Sequence, residues 1–119
     1  MEINGSEFAK SIKLRAEWRG TPEGEVLFNL VTGCFKQFHG GTWPAADCIL
    51  NLYNSDRPVS LPLLCSQTSP ELFDLALNAL KIRQRNGVEP HDYFVDGADV
   101  MQALYRLYRR RGKPNDKAK

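Results

Sequence analysis

A mainly α single domain is what this chain predicts: a compact bundle of about four main helices plus one short helical turn. A small N-terminal β-strand or hairpin stays open as an addition. Two observations carry the class. Helix-start chemistry with proline in the first turn recurs at Thr21-Pro22-Glu23 and at Thr68-Ser69-Pro70-Glu71, and apolar residues at helical spacing follow both. The most apolar stretch, Trp43–Cys65, carries Pro44 and Pro62, and proline lacks the N–H that a central strand needs. That stretch organises the rest. Its two apolar runs, Cys48–Tyr53 and Val59–Cys65, are parted by the polar break Asn54–Pro58.

Size and composition suit one domain. A chain of 119 residues is near the commonest domain size, and folding at this length buries roughly two-thirds of the surface of the unfolded chain. Hydrophobic residues at 42% and charged residues at 25% are ordinary for a globular protein, which argues against disorder throughout. No apolar run approaches the ~20 residues that span a bilayer. The opening MEINGSEFAK lacks a basic region followed by an apolar stretch, so it does not read as a secretory signal. The expectation is a cytoplasmic protein without membrane contact. Cys34, Cys48 and Cys65 each lie in an apolar run, and three buried reduced thiols are expected.

The net charge of +2 hides an asymmetry. From Arg106 to Lys119 seven basic residues face one acid, a net of +6; the remainder holds nine basic and thirteen acidic residues, a net of −4. A mildly acidic body therefore ends in a basic tail, which suits an acidic partner and also serves solubility.

The elements follow in order. Residues 11–19 alternate, with Ile12, Leu14, Ala16 and Trp18 on one side and Lys13, Arg15, Glu17 and Arg19 on the other. That is the period of a half-buried strand, although Ala, Lys, Leu, Arg and Glu favour helix. A strand here needs a mate: Arg57–Leu61, Tyr93–Val95, or the same segment of a second subunit, which would make a homodimer. A helix capped by Thr21 then carries Val26, Leu27, Leu30, Val31, Cys34, Phe35 and Phe38 on one stripe. His39-Gly40-Gly41 stops it, the glycines supplying a left-handed cap. Trp43-Pro44-Ala45 restarts a helix to about Asn54 that is apolar nearly all round, which reads as the central, enclosed helix. Asn54–Pro58 is turn chemistry, and Val59–Cys65 holds a single helical turn capped by Ser60. The strongest helix runs from about Ser69 to Arg85 and ends at Gly87. Asp96-Gly97-Ala98-Asp99 opens the last, with Val100, Met101, Leu104, Tyr105, Leu107 and Tyr108 on its apolar side. Residues 1–111 form the helical domain, and 112–119, polar with Gly and Pro, read as a flexible basic tail.

Candidate chemistry is sparse. Cys34, His39, Cys48, Cys65 and His91 form no C-x-x-C or H-x-x-x-H pair, so no metal is expected. His91 and Asp92 are adjacent, but apolar surroundings would raise the pKa of each cysteine, and no phosphate-binding glycine loop is present. No catalytic residues and no cofactor are assigned, and the chain is read as a non-enzyme. The segment His91-Asp92-Tyr93-Phe94 has two readings. In one it is a structural corner, with His91 or Tyr93 bonding a helix end and Phe94 entering the core; in the other His91, Asp92 and Tyr93 form an interaction surface. Lys13, Arg15 and Glu17 form a second candidate surface. At the basic end Arg106, Arg109, Arg110, Arg111 and Lys113 are candidates for contact with a partner or with nucleic-acid phosphates, Tyr105 or Tyr108 stacking on a base. The acidic body and the lack of a helix-turn-helix pattern count against a broad nucleic-acid footprint.

The runs ILNLYNSDRPVSLPLLCSQTSPELFDLALNALKIRQ and EPHDYFVDGADVMQALYRLY resemble a family of small uncharacterised bacterial proteins, a domain of unknown function carried mainly on plasmids, phages and integrative elements. The likeness covers about residues 24–108. It rests on Leu52-Tyr53-Asn54 and on the corner His91, Tyr93, Phe94 and Gly97. Ser60-Leu61-Pro62-Leu63-Leu64 departs from the Asp-Leu-Thr-Asp-Leu-like stretch of that family, which fits a diverged member. The resemblance implies an all-helical domain with no catalytic residues to carry over. It implies a non-enzymatic binding protein of mobile-element type, an inhibitor or modulator of a host defence or regulatory complex through protein–protein contacts. The alternative is a nucleic-acid-binding accessory protein using the basic end.

Overall fold

The computed structural model describes residues 4–109. Among them the chain forms six α-helices and no sheet: α1 (Gly5–Ser11), α2 (Pro22–Lys36), α3 (Trp43–Tyr53), α4 (Leu61–Gln67), α5 (Pro70–Asn86) and α6 (Gly97–Leu107). Short 3-10 turns at Ala16–Trp18, Gly40–Thr42 and Pro90–Tyr93 link them. The proposed tail, 112–119, and Arg110, Arg111 and Lys113 lie outside the described residues.

Side-chain caps start four of the helices. Asn4, Thr21, Ser60 and Ser69 each accept a backbone N–H from the first turn, the Thr21 bond being 2.9 Å long. Such a cap is worth about 1 kcal/mol, because the first N–H groups of a helix otherwise lack partners. Gly87 closes α5 at φ 71, a conformation that costs glycine little.

The helix α3 lies inside the bundle. Every residue from Pro44 to Leu50 is buried, and α3 packs against α2, α4, α5 and α6. An apolar surface that runs all round a helix demands such enclosure, because any face left to water would forfeit burial at roughly 25 cal/mol per Å². Across the bundle α2 packs on α5 through Leu27, Leu30, Val31 and Phe35 from one side and Leu72, Ala76, Ala79 and Ile82 from the other.

Several expectations need correcting. Of the strand and helix readings left open for the N-terminal stretch, the helix holds only at α1; its Phe8 ring lies 4.9 Å from Phe35 on α2, so tertiary packing supports a seven-residue helix too short to stand alone. Residues 11–19 make no strand. Ile12 and Leu14 are buried in alternation, but Leu14 forms a single antiparallel bridge with Phe94 before the chain winds into the Ala16–Trp18 turn. The bridge bonds run from Arg15 N–H to the Tyr93 carbonyl and from Val95 N–H to the Lys13 carbonyl, both at 2.9 Å. Of the mates considered, Tyr93–Val95 therefore takes the pairing, and the unmated edge that motivated a homodimer does not exist. The helix α2 ends at Lys36, and Gln37 caps it at φ −116, so no left-handed glycine is used and Phe38 is left 50% exposed. The helix α4 runs seven residues rather than one turn, with Pro62 in its first turn. Cys34 and Cys48 are buried free thiols as expected, but Cys65 lies exposed on the outer side of α4.

Candidate functional site

The polar break after α3 does more than reverse the chain. The Asn54 side chain accepts the Asp56 N–H at 3.0 Å, its carbonyl accepts the Arg57 N–H at 2.9 Å, and Asn51 Nδ2 donates to the Arg57 carbonyl at 2.7 Å. This Asx-type turn sends the Arg57 side chain back under α3 and α6. There Nε and Nη2 donate to Asp47 Oδ1 at 2.9 and 2.6 Å, and Nη2 also donates to the Tyr108 carbonyl at 2.8 Å. Asp47 is 3% exposed and Arg57 8%. Two charges removed from water cost several kcal/mol each unless paired and hydrogen-bonded, and here each answers the other.

The same tyrosine ties the end of α6 to α2. The Tyr108 hydroxyl donates to the Cys34 carbonyl and lies 2.7 Å from Thr42 Oγ1. Its ring packs 5.1 Å from Phe38 and 5.0 Å, edge-on, from Trp43. Burial, more than any neighbour, pushes the Tyr108 phenol and the Cys34 thiol far above their usual values. The Cys48 thiol is pushed up to about 11, first by burial and then by the Asp47 charge. Reactive thiolates at Cys34 and Cys48 are thereby suppressed at neutral pH.

Above the ion pair opens a cleft of about 380 Å³, between the 54–58 turn and α6. Leu50 and Met101 form its apolar base, Tyr53 and Tyr105 its aromatic walls, and Asn54, Asp56, Gln102 and Arg109 its polar rim. The volume lies within the usual range of ligand sites. Arg57 lines it as well, with its guanidinium carbon 5.7 Å from the centre of the Tyr105 ring, a cation–π arrangement. The Nη1 atom of Arg57 makes no hydrogen bond among the described residues.

The predicted site residues fall in different places. Arg109 lines the cleft, and Arg106 is exposed one turn before it on α6. His91, its side chain 30% exposed, stands beside the cleft wall with its ring 5.1 Å, edge-on, from Tyr53. Its Nε2 is 3.4 Å from Asp92 Oδ1 and its Nδ1 3.8 Å from Glu89 Oε1. Tyr93 is not on a surface at all. It is 1% exposed, its hydroxyl accepts from Asn86 Nδ2 at 2.9 Å, its ring packs 4.4 Å from Trp18, and burial raises its pKa. Lys13, Arg15 and Glu17 are exposed, but Arg15 Nε donates to the Phe94 carbonyl at 3.2 Å and helps pin the bridge.

Tyr53, Asn54, Arg57 and Gln102 were not singled out from the sequence as site residues. One signal was available: Asp47 is the sole charged residue in the all-round apolar α3, and a carboxylate enclosed there requires a cationic partner. No group of three or more His, Cys, Asp or Glu residues able to hold a metal ion occurs among the described residues, nor any helix long and apolar enough to cross a membrane. Comparison with protein-family models, curated proteins and solved structures finds no match.

Proposed function

We propose that this protein is a non-enzymatic binding protein of mobile-element type, an inhibitor or modulator of a host defence or regulatory complex that acts through protein–protein contacts. The observation that carries the reading is the cleft, lined by two tyrosine rings, the exposed Arg109 and the buried, ion-paired Arg57. Tyrosine and arginine are enriched among residues that dominate protein interfaces. The mobile-element part of the reading rests on the resemblance through Leu52-Tyr53-Asn54 and the His91–Gly97 corner, of which Tyr53 and Asn54 line the cleft and His91 packs beside it.

Affinity capture from the native host tests the reading. The expected result is one stoichiometric protein partner, released when Tyr105 and Arg109 are replaced together by Ala and Glu. Recovery of no stoichiometric partner sinks it. A second reading, a nucleic-acid accessory protein, is favoured by the exposure of Tyr105 and Arg106 near the end of α6 and of Arg109 just beyond it. Steeply salt-dependent retention of single-stranded nucleic acid, lost with the same two substitutions, would establish it instead.

A further inference from the structure

We infer that the cleft receives an acidic peptide segment of the partner, one carboxylate standing next to an apolar or aromatic side chain. The inference rests on the protein-binding reading and names the chemistry of what is bound.

The first support is the state of Arg57. Three hydrogen bonds to Asp47 and Tyr108 fix its guanidinium, while Nη1 makes no hydrogen bond among the described residues. A donor already immobilised loses no side-chain freedom when a ligand arrives, and a charge-assisted N–H selects a carboxylate oxygen over a neutral acceptor. The fold thus holds a positioned cationic edge in the lining of the cleft.

The second support is the cleft's mixed wall. Leu50, Met101, Tyr53 and Tyr105 offer apolar and ring surface beside that edge, with Tyr105 46% exposed. A ligand that is merely an anion would leave this surface wet. One that places an apolar side chain beside its carboxylate covers it. The third support is charge: Arg109 stands at the rim of the cleft and Arg106 is exposed near the end of α6. Such a field draws acidic chains toward this end.

A nucleic-acid strand fits less well. A space of about 380 Å³ holds one or two side chains, not a backbone track.

The test is selection of a random displayed peptide library on the full chain, followed by titration of the winning peptide. Enrichment of Asp or Glu beside Phe, Tyr, Trp or Leu is the expected result, with the Arg57 Nε resonance moving on titration. The Tyr105→Ala/Arg109→Glu variant should bind the same peptide at least about tenfold more weakly. Both side chains are exposed, so its thermal unfolding midpoint should match the parent's. Uncharged or basic winners, an unmoved Arg57 resonance, or equal binding by the variant overturns the inference. So does a single-stranded oligonucleotide that moves the Arg57 resonance when no peptide does. If the host partner is captured equally by parent and variant, the binding reading stands and this cleft assignment falls. If acidic peptides are selected but the host yields no partner, the reverse holds.

Discussion

Two irregular segments lie against α3 and treat their functional groups in opposite ways. The 90–97 corner turns them inward. Tyr93 and Phe94 are 1% and 0% exposed, Tyr93 is hydrogen-bonded to Asn86, and the backbone is paired with Lys13 and Arg15. Gly97 packs so close that a Cβ there would lie 1.7 Å from the His91 carbonyl oxygen, and Asp96 before it holds φ 54. The 54–58 turn and the end of α6 hold Arg57 against Asp47 and the Tyr108 carbonyl, in the lining of the cleft and with Tyr105 over its guanidinium. The corner uses its rings to fix the fold and has little left to offer a partner. The cleft leaves the Tyr105 ring and the rim arginine Arg109 exposed. Two segments equally rich in polar and aromatic residues are thus separated by how many of their groups the core already occupies.

Substitutions can break that contrast in order of expected size. Gly97→Ala should cost more than about 5 kcal/mol, since backbone must move to admit the methyl group. Parent-like stability in urea unfolding would show that the corner is not rigid. Asp47→Ala should cost about 3–5 kcal/mol, because it leaves the Arg57 charge buried without its carboxylate. It should also weaken peptide binding, as the guanidinium loses its fixed position; binding retained at full strength in a folded variant would detach the cleft from the ion pair. Tyr108→Phe should cost about 1–3 kcal/mol by stranding the Cys34 carbonyl and Thr42, with the Arg57 bond to the Tyr108 backbone intact. A fall above that range would mean that the hydroxyl also holds the cleft.

The smallest effect near neutrality appears in alkali. Below the ordinary thiol value of 9.0 the Cys48 thiol is protonated in both states and pH does nothing. Between 9.0 and about 11 the unfolded chain releases this proton while the native chain keeps it, so stability falls through that window. Cys34 and Tyr108, also raised by burial, act in the same direction. The denaturation midpoint should therefore decline across that range, and Cys48→Ala should flatten the decline. A pH-independent midpoint would place Cys48 in contact with water. At neutral pH a thiol reagent should label Cys65 at once and the other two only on unfolding.

Much of the helical frame was legible because its signals are local. Thr21 and Ser69 cap within three residues of themselves, and the enclosure of α3 follows from its composition alone. The helix α1 was legible only as one of two readings, since its packing rests on Phe35, far along the chain. The cleft was legible only at one edge. Arg109 was visible as a helix-terminal cation, but Arg57 looked like an ordinary turn residue. Its burial depends on Asp47 ten positions before it and on Tyr108 51 positions after it. Sequence periodicity also could not sort the tyrosines: Tyr105 and Tyr108 both fall on the apolar side of α6, yet one is 46% exposed and the other 0%. The three-residue step between them turns one ring toward the 54–58 loop and the other toward Cys34.

The bridge between Leu14 and Phe94 bears on how the chain is made. Arg15 and the Phe94 carbonyl it bonds are 79 residues apart. On a ribosome the early segment, with Ile12 and Leu14, has no mate until the corner has emerged, by which time α2 through α5 are already synthesised. Closing so long a loop adds little entropy cost once the bundle has brought its ends together, but it sets an order. The Leu14–Phe94 bridge can close only once residues 93–95 are in place.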